Sequence, residues 1–183
     1  MQNRRPRSDV STGVYVGLGS NLAFENAEPS TLLKRAMERL EEGGDKIIAT
    51  SSLWVSDAWP AGAGAPKFIN AVCRVKPHCN DTSRLMRRLH DIEAEFGRLR
   101  DQHNQWSPRT LDLDLLDYNG FVTKKCSFPT LPHPKMAERD FVLLPLMELS
   151  LNWVHPITQK SAQNLLEKLK TSGLTNNCIQ FLG

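Results

Sequence analysis

The stretch from Leu111 to Leu116 limits what this chain can fold into more than any other part of the sequence. It reads Leu-Asp-Leu-Asp-Leu-Leu, so apolar and acidic residues alternate with a period of two. Because successive side chains on a strand point to opposite faces of a sheet, three leucines would share one face and Asp112 and Asp114 the other. The alternation therefore predicts a strand over residues 110–116 with a buried leucine face and an acidic face.

The order of the other predicted elements places this strand in an α+β fold. Hydrophobic spacing and turn residues predict strands at 14–18, 47–55, 68–75 and 110–116 and helices at 29–42 and 81–96. The order strand-helix-strand-strand-helix-strand is the ferredoxin-like βαββαβ arrangement, in which both helices pack on one face of an antiparallel sheet. A C-terminal extension follows, with predicted helices at 141–149 and 161–170. Asp117 has the opposite parity to the other two aspartates and is interpreted as a turn residue.

Length and composition predict a single domain. The chain has 183 residues, the size of one ordinary domain, and 23% of them are charged. Residues 1–12 are polar and basic without periodicity, so we expect a disordered leader followed by one domain over residues 13–183.

The charge balance argues against a nucleic-acid-binding domain. The net charge is +3, and Arg4, Arg5 and Arg7 account for all of it, so the rest of the chain is neutral.

No apolar run approaches the ~20 residues of a membrane span, and the four cysteines form no C-x-x-C pair. We therefore expect a cytoplasmic monomer that binds neither nucleic acid nor membrane.

The two aspartates on one strand face are candidate metal ligands. They would stand ~7 Å apart, since a strand rises roughly 3.3 Å per residue. Two carboxylates that face the same way repel each other, and hard oxygen donors of this kind suit Mg²⁺. The alternative is a solvated strand face that happens to carry two acids.

Arginines near these aspartates are candidate phosphate ligands. Arg98, Arg100 and Arg109 lie in or beside the loop that leads into the acidic strand. Guanidinium groups bind phosphate oxygens in bidentate fashion, which suits phosphoryl transfer. The alternative is that they pair with surface acids. Downstream, Arg139 adds another anion ligand, and His133 between two prolines is either structural or a phosphate or ribose contact.

With these residues identified, the sequence resembles the 6-hydroxymethyl-7,8-dihydropterin pyrophosphokinase family from Val14 to about Leu149. Short motifs in family order carry the resemblance. They are Gly19-Ser20-Asn21-Leu22, Ser51-Ser52, Phe68-Ile69-Asn70-Ala71, Glu93, Gly97-Arg98, Arg100, Pro108-Arg109-Thr110-Leu111-Asp112-Leu113-Asp114, Pro132-His133, Arg139 and Phe141.

The resemblance implies an αβα fold on the ferredoxin-like core and an ATP-dependent enzyme of folate biosynthesis. Such an enzyme transfers diphosphate from ATP to the hydroxymethyl group of the pterin, releases AMP and uses two magnesium ions. The residues that the resemblance implies fall into three groups. The catalytic group is Arg98, Arg109, Asp112 and Asp114, with both aspartates as metal ligands. The ATP-binding group is His90, Glu93, Arg100, Trp106, His133 and Arg139. The pterin-binding group is Ser56, Trp59, Phe68, Asn70 and Phe141.

Two other functions fit parts of the sequence. A ferredoxin-like RNA-binding module shares the order of elements, but it needs exposed aromatic residues on its central strands, and the acidic face would repel phosphate. A different two-metal enzyme, such as a nucleotidyltransferase or a glycosyltransferase, would share the paired aspartates but gives no role to Asn70 between aromatic residues.

Overall fold

The computed structural model describes residues 12–58, 66–98, 109–124 and 127–182. Within these ranges the strands are β1 (Val14–Ser20), β2 (Lys46–Thr50), β3 (Trp54–Ser56), β4 (Phe68–Lys76), β5 (Asp112–Tyr118) and β6 (Ile179–Gln180). The α-helices are α1 (Pro29–Glu42), α2 (Thr82–Glu95), α3 (Asp140–Leu149) and α4 (Ala162–Thr171), with a 3₁₀ turn at Met136–Glu138. Of the predicted leader, residues 1–11 lie outside the described ranges.

All strand pairs are antiparallel, and the order across the sheet is β5-β1-β4-β3-β6, with β2 also paired to β4. This is the ferredoxin-like order, so the predicted fold class is confirmed. Side chains cap two of the helices. The Asp81 carboxylate accepts hydrogen bonds from the backbone N–H groups of Ser83 (2.9 Å) and Arg84 (3.0 Å) at the start of α2, and Ser161 caps α4.

The predicted second strand over residues 47–55 is two strands, β2 and β3, that both pair with β4. They are separated at Ser51, whose hydroxyl oxygen accepts the hydrogen bond from the backbone N–H of Val72 at 3.0 Å. Because a side chain takes the place of a backbone carbonyl there, the ladder is interrupted for three residues. The short strand β6 was not predicted from the sequence.

The two faces of the sheet pack against different helices. On the first face, alternate residues of β1, β4 and β5 form a core with α1 and α2, and Leu111, Leu113 and Leu115 belong to this core. On the second face, Tyr15, Val72 and Leu116 pack against α3, α4 and Trp153. This produces the αβα layers that the sequence predicted.

Helices cover only half of the second face. The covered half contains Tyr15, Val72 and Leu116, all fully buried. Further along the same strands and with the same parity lie Gly19 on β1, Asn70 on β4, and Asp112 and Asp114 on β5. We call this second group of residues the polar half of the face.

Strict alternation fails at one place in β5. A register shift relative to β1 between Tyr15 and Val16 marks a β-bulge, so Leu116 and Asp117 both lie on the second face. The interpretation of Asp117 as a turn residue was wrong, because Asp117 lies in β5, where its carboxylate accepts from the N–H of Gly120 in the following turn at 2.9 Å. The Asp117 carboxylate also accepts from Trp153 Nε1 at 2.7 Å, and the residue is buried on the second face. Strict alternation would have placed Asp117 on the first face instead.

Candidate active site

The polar half brings together residues from three neighbouring strands. In the strand register, Asp112 of β5 lies beside Gly19 of β1, which lies beside Asn70 of β4. A Cβ atom added to Gly19 would lie 3.4 Å from Asn70 Oδ1, 3.8 Å from Asp112 Cβ and 3.8 Å from Phe68 Cδ1. Glycine at this position therefore leaves a shallow floor between the acidic and the amide side chains.

Asp112 is held between two arginines. Its Oδ1 atom accepts from Arg98 Nη1, and its Oδ2 atom accepts from Arg109 Nη1 at 2.7 Å. Burial by itself would raise the pKa of the Asp112 carboxyl, but the two guanidinium groups outweigh it and lower the pKa below its ordinary value. Asp112 is thus kept ionised, as a metal ligand must be.

Glu93 supports this cluster from α2. Its Oε1 atom accepts a hydrogen bond from Arg98 Nη1 and another, at 2.7 Å, from the backbone N–H of Leu113. Within the described part of the chain β5 is an edge strand, so that N–H faces no neighbouring strand there, and the buried Glu93 carboxylate accepts its hydrogen bond instead. Sequence analysis assigned Glu93 to ATP binding, which stays a prediction, and the contacts described here also position Arg98 and β5.

A left-handed residue at the end of α2 explains why Arg98 reaches Glu93. Gly97 has φ +75°, and the N–H of Arg98 donates to the carbonyl of Glu93 at 3.0 Å. The chain therefore turns back at the helix end, and the guanidinium lies between the carboxylates of Glu93 and Asp112.

Asp114 contacts the C-terminal extension. Its Oδ2 atom accepts from Arg139 Nη1 at 3.1 Å, and its Oδ1 atom lies 3.8 Å from His133 Nε2. The Arg139 guanidinium carbon also lies 5.7 Å from the centre of the Phe141 ring. Asp114, His133, Arg139 and Phe141 thus form a second group beside the Asp112 cluster.

The His133 ring has a defined orientation. Its Nδ1 atom accepts from the backbone N–H of Lys135 at 3.3 Å, so in the neutral ring the proton is on Nε2, which faces Asp114. Burial lowers the pKa of His133, although the Asp114 carboxylate partly opposes this effect. His133 can therefore donate a hydrogen bond while uncharged near neutral pH.

Asn70 is fixed by its neighbours on β3. Its Nδ2 atom donates to Ser56 Oγ at 3.0 Å and to the carbonyl of Trp54 at 3.4 Å, and both Asn70 and Ser56 are buried. With its donor engaged, the amide presents its oxygen on the Gly19 side, where it can accept a hydrogen bond from a ligand.

The remaining predicted residues are distributed as follows. His90 lies on α2, and its ring centre is 5.8 Å from the Phe128 ring. Trp59, Arg100 and Trp106 lie outside the described residues.

Sequence analysis gave no role to Asn21, although it belongs to a quoted motif. Its Oδ1 atom accepts from the N–H of Arg109 at 2.7 Å, its own N–H donates to the carbonyl of Arg109 at 3.0 Å, and its Nδ2 donates to the carbonyl of Pro66 at 3.2 Å. Asn21 thus fixes Arg109 and Pro66 at the described ends of two loops. An asparagine directly after a predicted strand end is the sequence signal that could have indicated it.

Comparison with known proteins identifies the family to which the chain is similar. The family model described as 7,8-dihydro-6-hydroxymethylpterin-pyrophosphokinase (HPPK) matches residues 15–151. The 2-amino-4-hydroxy-6-hydroxymethyldihydropteridine pyrophosphokinase of Pseudomonas aeruginosa is 41% identical to this chain over 140 residues. These residues cover 75% of this chain and 80% of that protein. The protein of the same name from Synechocystis is 34% identical over 160 residues, covering 86% and 76%.

Longer proteins also contain a related region. The folic acid synthesis protein fol1 of Pneumocystis carinii is 35% identical over 156 residues, which cover 85% of this chain but only 20% of that protein. The crystal structure of Plasmodium falciparum HPPK-DHPS with pterin and p-hydroxybenzoate has a TM-score of 0.68 at 15% identity, covering 92% of this chain and 47% of that one. The present chain thus spans about a fifth of the length of fol1 and about half of the Plasmodium chain.

The resemblance predicted from the sequence is confirmed, since the family model covers most of the chain and the Pseudomonas protein is similar over most of both lengths. The chain belongs to the 7,8-dihydro-6-hydroxymethylpterin-pyrophosphokinase family.

Proposed function

We propose that this chain transfers diphosphate from ATP to the hydroxymethyl group of 6-hydroxymethyl-7,8-dihydropterin in folate biosynthesis. In this reaction the hydroxymethyl oxygen attacks the β-phosphorus of ATP, and the bond from that phosphorus to the oxygen bridging it to the α-phosphorus breaks. AMP leaves with that oxygen, and the hydroxyl proton is released. Within a chain of this family, the placement of Asp112 and Asp114 among three arginines on one sheet face is the observation that carries the proposal.

The donor set in the polar half fits magnesium. Two carboxylates face the same way, and among the described residues no group of three or more His, Cys, Asp and Glu side chains is gathered as a metal cage. Mg²⁺ ordinarily binds through one or two carboxylates together with phosphate oxygens and water. We propose that Asp112 and Asp114 hold two such ions, which when bound would neutralise charge on the triphosphate.

The arginines would exchange partners when ATP binds. Arg98 and Arg109 form ion pairs with Asp112, so both guanidinium groups already lie at the site before ATP binds. Arg98 and Arg109 would then bind phosphate oxygens of ATP, and a cation held by Asp112 would supply the positive charge that the arginines no longer give this carboxylate. Arg139 and His133 beside Asp114 would bind ATP in the same way, and we keep His90, Glu93, Arg100 and Trp106 as expected residues of the nucleotide side.

The pterin would lie over the Gly19 floor. The Asn70 oxygen would accept from an N–H on the polar edge of the pterin, with Phe68 and Phe141 against its rings. Ser56 orients the Asn70 amide, and Trp59 stays an expected contact. The substrate hydroxyl is the nucleophile, so no protein side chain needs to act as one.

Several expectations from composition and charge also stay predictions. They are one catalytic domain over residues 13–183, a cytoplasmic monomer, and no binding to nucleic acid or membrane. Among the described residues, no helix is both long and apolar enough to cross a bilayer.

The proposed function is tested by incubating the purified chain with ATP, Mg²⁺ and 6-hydroxymethyl-7,8-dihydropterin and separating the products. We expect AMP and the pterin diphosphate in equal amounts, and neither product when the pterin is omitted. Formation of ADP would indicate transfer of a single phosphoryl group and contradict the proposal. A pterin-independent release of AMP would favour another two-metal enzyme, and tight RNA binding without turnover would favour the RNA-binding module.

A further inference from the structure

The C-terminal segment, residues 174–182, contacts two separate parts of the chain that flank the proposed pterin site. One is the end of β3 with Ser56 and Asp57, and the other is the start of α3 with Asp140 and Phe141. Nothing in the sequence analysis gave this segment or Asp140 a role. The contacts link each flank to the same few residues of the segment.

The contacts with β3 are made at Asp57. Its backbone N–H donates to the carbonyl of Asn176 at 2.9 Å, and its carboxylate accepts from Asn177 Nδ2 at 2.7 Å. Asp57 directly follows Ser56, the residue that orients the Asn70 amide. The segment therefore fixes the backbone one residue away from the amide that would recognise the pterin.

The contacts with α3 are made at Asp140. One carboxylate oxygen accepts from the N–H of Asn176 at 2.8 Å and the other from the N–H of Phe141 at 2.9 Å. The N–H of Cys178 is a further backbone partner of this carboxylate, and burial raises the pKa of Asp140. Since Asp140 is only 2% exposed, these donors replace the water that the carboxylate has lost.

Asn176 therefore joins the two flanks through its own peptide groups. Its N–H bonds Asp140 and its carbonyl bonds Asp57, while its buried Oδ1 atom has no hydrogen-bond partner in the part of the chain that the structure describes. Beyond Asn176 the segment continues as β6, which pairs with β3 at Val55 and Trp54. A segment needed only to complete the sheet would not require a buried carboxylate at the start of α3.

We infer that Asp140, acting through Asn176, is a positioning residue that sets the separation of Phe141 and Ser56 for pterin binding. This inference rests on the proposed function, because it concerns the pterin side of that site. Asp112, Asp114, Arg98 and Arg109 of the ATP side make none of the contacts described for the segment, so their geometry should depend little on it. Arg139 directly precedes Asp140 and its guanidinium carbon lies 5.7 Å from the centre of the Phe141 ring, so it links the ATP side to Asp140.

Three variants test the inference. Asp140→Asn keeps the shape of the side chain but replaces one acceptor oxygen with a donor. Asn177→Gly removes the bond to the Asp57 carboxylate and tolerates the φ of 49° at that position. Gln180→Ala is the matched control, since it removes only the bond to Ser52 Oγ at the far end of the segment.

Dissociation constants for the pterin and for a non-hydrolysable ATP analogue are measured by calorimetry. For Asp140→Asn we expect pterin affinity to fall about tenfold, the scale of one lost hydrogen bond to a charged group. For Asn177→Gly we expect a loss of about threefold, because that contact is exposed. The control should change pterin affinity by less than about twofold. In both test variants the loss of ATP-analogue affinity should be smaller than the loss of pterin affinity, because Arg139 is the residue that links the ATP side to Asp140.

Amide hydrogen exchange on the ligand-free chain provides a second readout that needs no substrate. In Asp140→Asn, the Asp57 amide should exchange faster along with the Phe141 amide, because the two flanks are joined through Asn176. In the control, both amides should exchange as in the wild type. Should Asp140→Asn not fold, Asn177→Gly still decides the question through its pterin affinity.

Unchanged pterin affinity in folded Asp140→Asn or Asn177→Gly would overturn the positioning role alone. A parallel loss of affinity for both ligands, or faster exchange confined to residues next to Asp140, would also overturn it and indicate a general structural role. A wild-type chain that binds no pterin would overturn the proposed function and the positioning role with it, and this result is distinct from the others.

Discussion

The covered and polar halves of the second sheet face are built from the same strands but serve different purposes. Along β1 the sequence changes from Tyr15 to Gly19, and along β5 it changes from Leu116 back to Asp112. In the covered half the side chains are fully buried under α3 and α4, whereas the Asp112 and Asp114 side chains remain 20% and 27% exposed. The change from large apolar to small or polar residues along each strand thus marks where helix cover ends and a site begins.

Two aspartates on this face show the same contrast in their ionisation. Asp117 lies in the covered half, where burial raises its pKa although Trp153 and Gly120 donate to it. Asp112 lies in the polar half, where the neighbouring arginines prevail over burial and lower its pKa. An aspartate side chain is therefore a buried hydrogen-bond acceptor in the covered half and an ionised partner of arginines in the polar half.

The largest expected effect comes from neutralising the acids of the polar half. Asp114→Asn or Asp112→Asn should lower turnover by about 10³-fold or more, since charge stabilisation of the transferring group is the main contribution in phosphoryl transfer. For Asp114→Asn the free energy of unfolding should change by less than about 1 kcal/mol, as its ion pair is partly exposed. Steady-state AMP release and urea unfolding measure the two effects, and near-normal turnover in excess Mg²⁺ would contradict the metal assignment.

The converse change in the covered half should affect stability instead. Leu116→Ala removes a fully buried side chain and should lower the free energy of unfolding by about 2–5 kcal/mol. Turnover per folded molecule should stay within about twofold of the wild type, because Leu116 does not belong to the polar half. A large loss of turnover in a sample shown to be folded would mean that the two halves are not separable.

Adding a methyl group at Gly19, the floor of the polar half, tests whether pterin binding depends on this half alone. In Gly19→Ala the new Cβ would lie 3.4 Å from Asn70 Oδ1, so the fold should persist while pterin affinity falls about tenfold from steric loss. Gly17→Ala is the control, since its Cβ would contact the Leu116 side chain at 3.4 Å instead. Equal loss of pterin affinity in both variants, measured by calorimetry, would argue against Gly19 as the floor of the site.

The smallest expected effect is on the dependence of stability on pH. Because the pKa of Asp112 is lowered in the folded state, its stabilising contribution is complete above the ordinary pKa of 3.8 and is lost as pH falls towards the folded value. The pKa of Asp117 is raised, so its contribution is complete below 3.8 and is lost as pH rises through the folded value.

Urea unfolding between about pH 2.5 and 6 checks these signs, with a change of about 1.4 kcal/mol for each unit of difference in pKa between the folded and unfolded states. Asp112→Asn should show a weaker loss of stability on acidification than the wild type. Asp117→Asn should show a weaker loss as pH rises above 3.8. Identical pH profiles for the wild type and Asp112→Asn would contradict the arginine pairing of Asp112.

The sequence predicted the order of the elements along the chain and the paired acids, because these depend on local periodicity and on residue type. The alternation at Leu113 and Asp114 needs no tertiary information. The division of the second strand at Ser51 was not predictable, because it depends on a hydroxyl that bonds a distant strand. The bulge that brings Asp117 to the second face depends on pairing with β1 in the same way.

Within the candidate site, the grouping of acids and arginines was predictable from the sequence, but the contacts that support them were not. Asp112, Asp114 and the arginines were identified by residue type and spacing. The roles of Glu93, Asn21 and Asp140 depend on backbone groups that approach from distant parts of the chain, such as the N–H of Leu113 and the N–H of Asn176. Motif reading gives no information on such partners.

The central claim, that Asp112 and Asp114 hold the divalent cations, is tested most directly by electron paramagnetic resonance with Mn²⁺ in place of Mg²⁺. With a non-hydrolysable ATP analogue and the pterin bound, we expect two manganese ions per wild-type chain and a loss of bound manganese in both Asp112→Asn and Asp114→Asn. Manganese binding of unchanged stoichiometry and affinity in both variants would contradict the account.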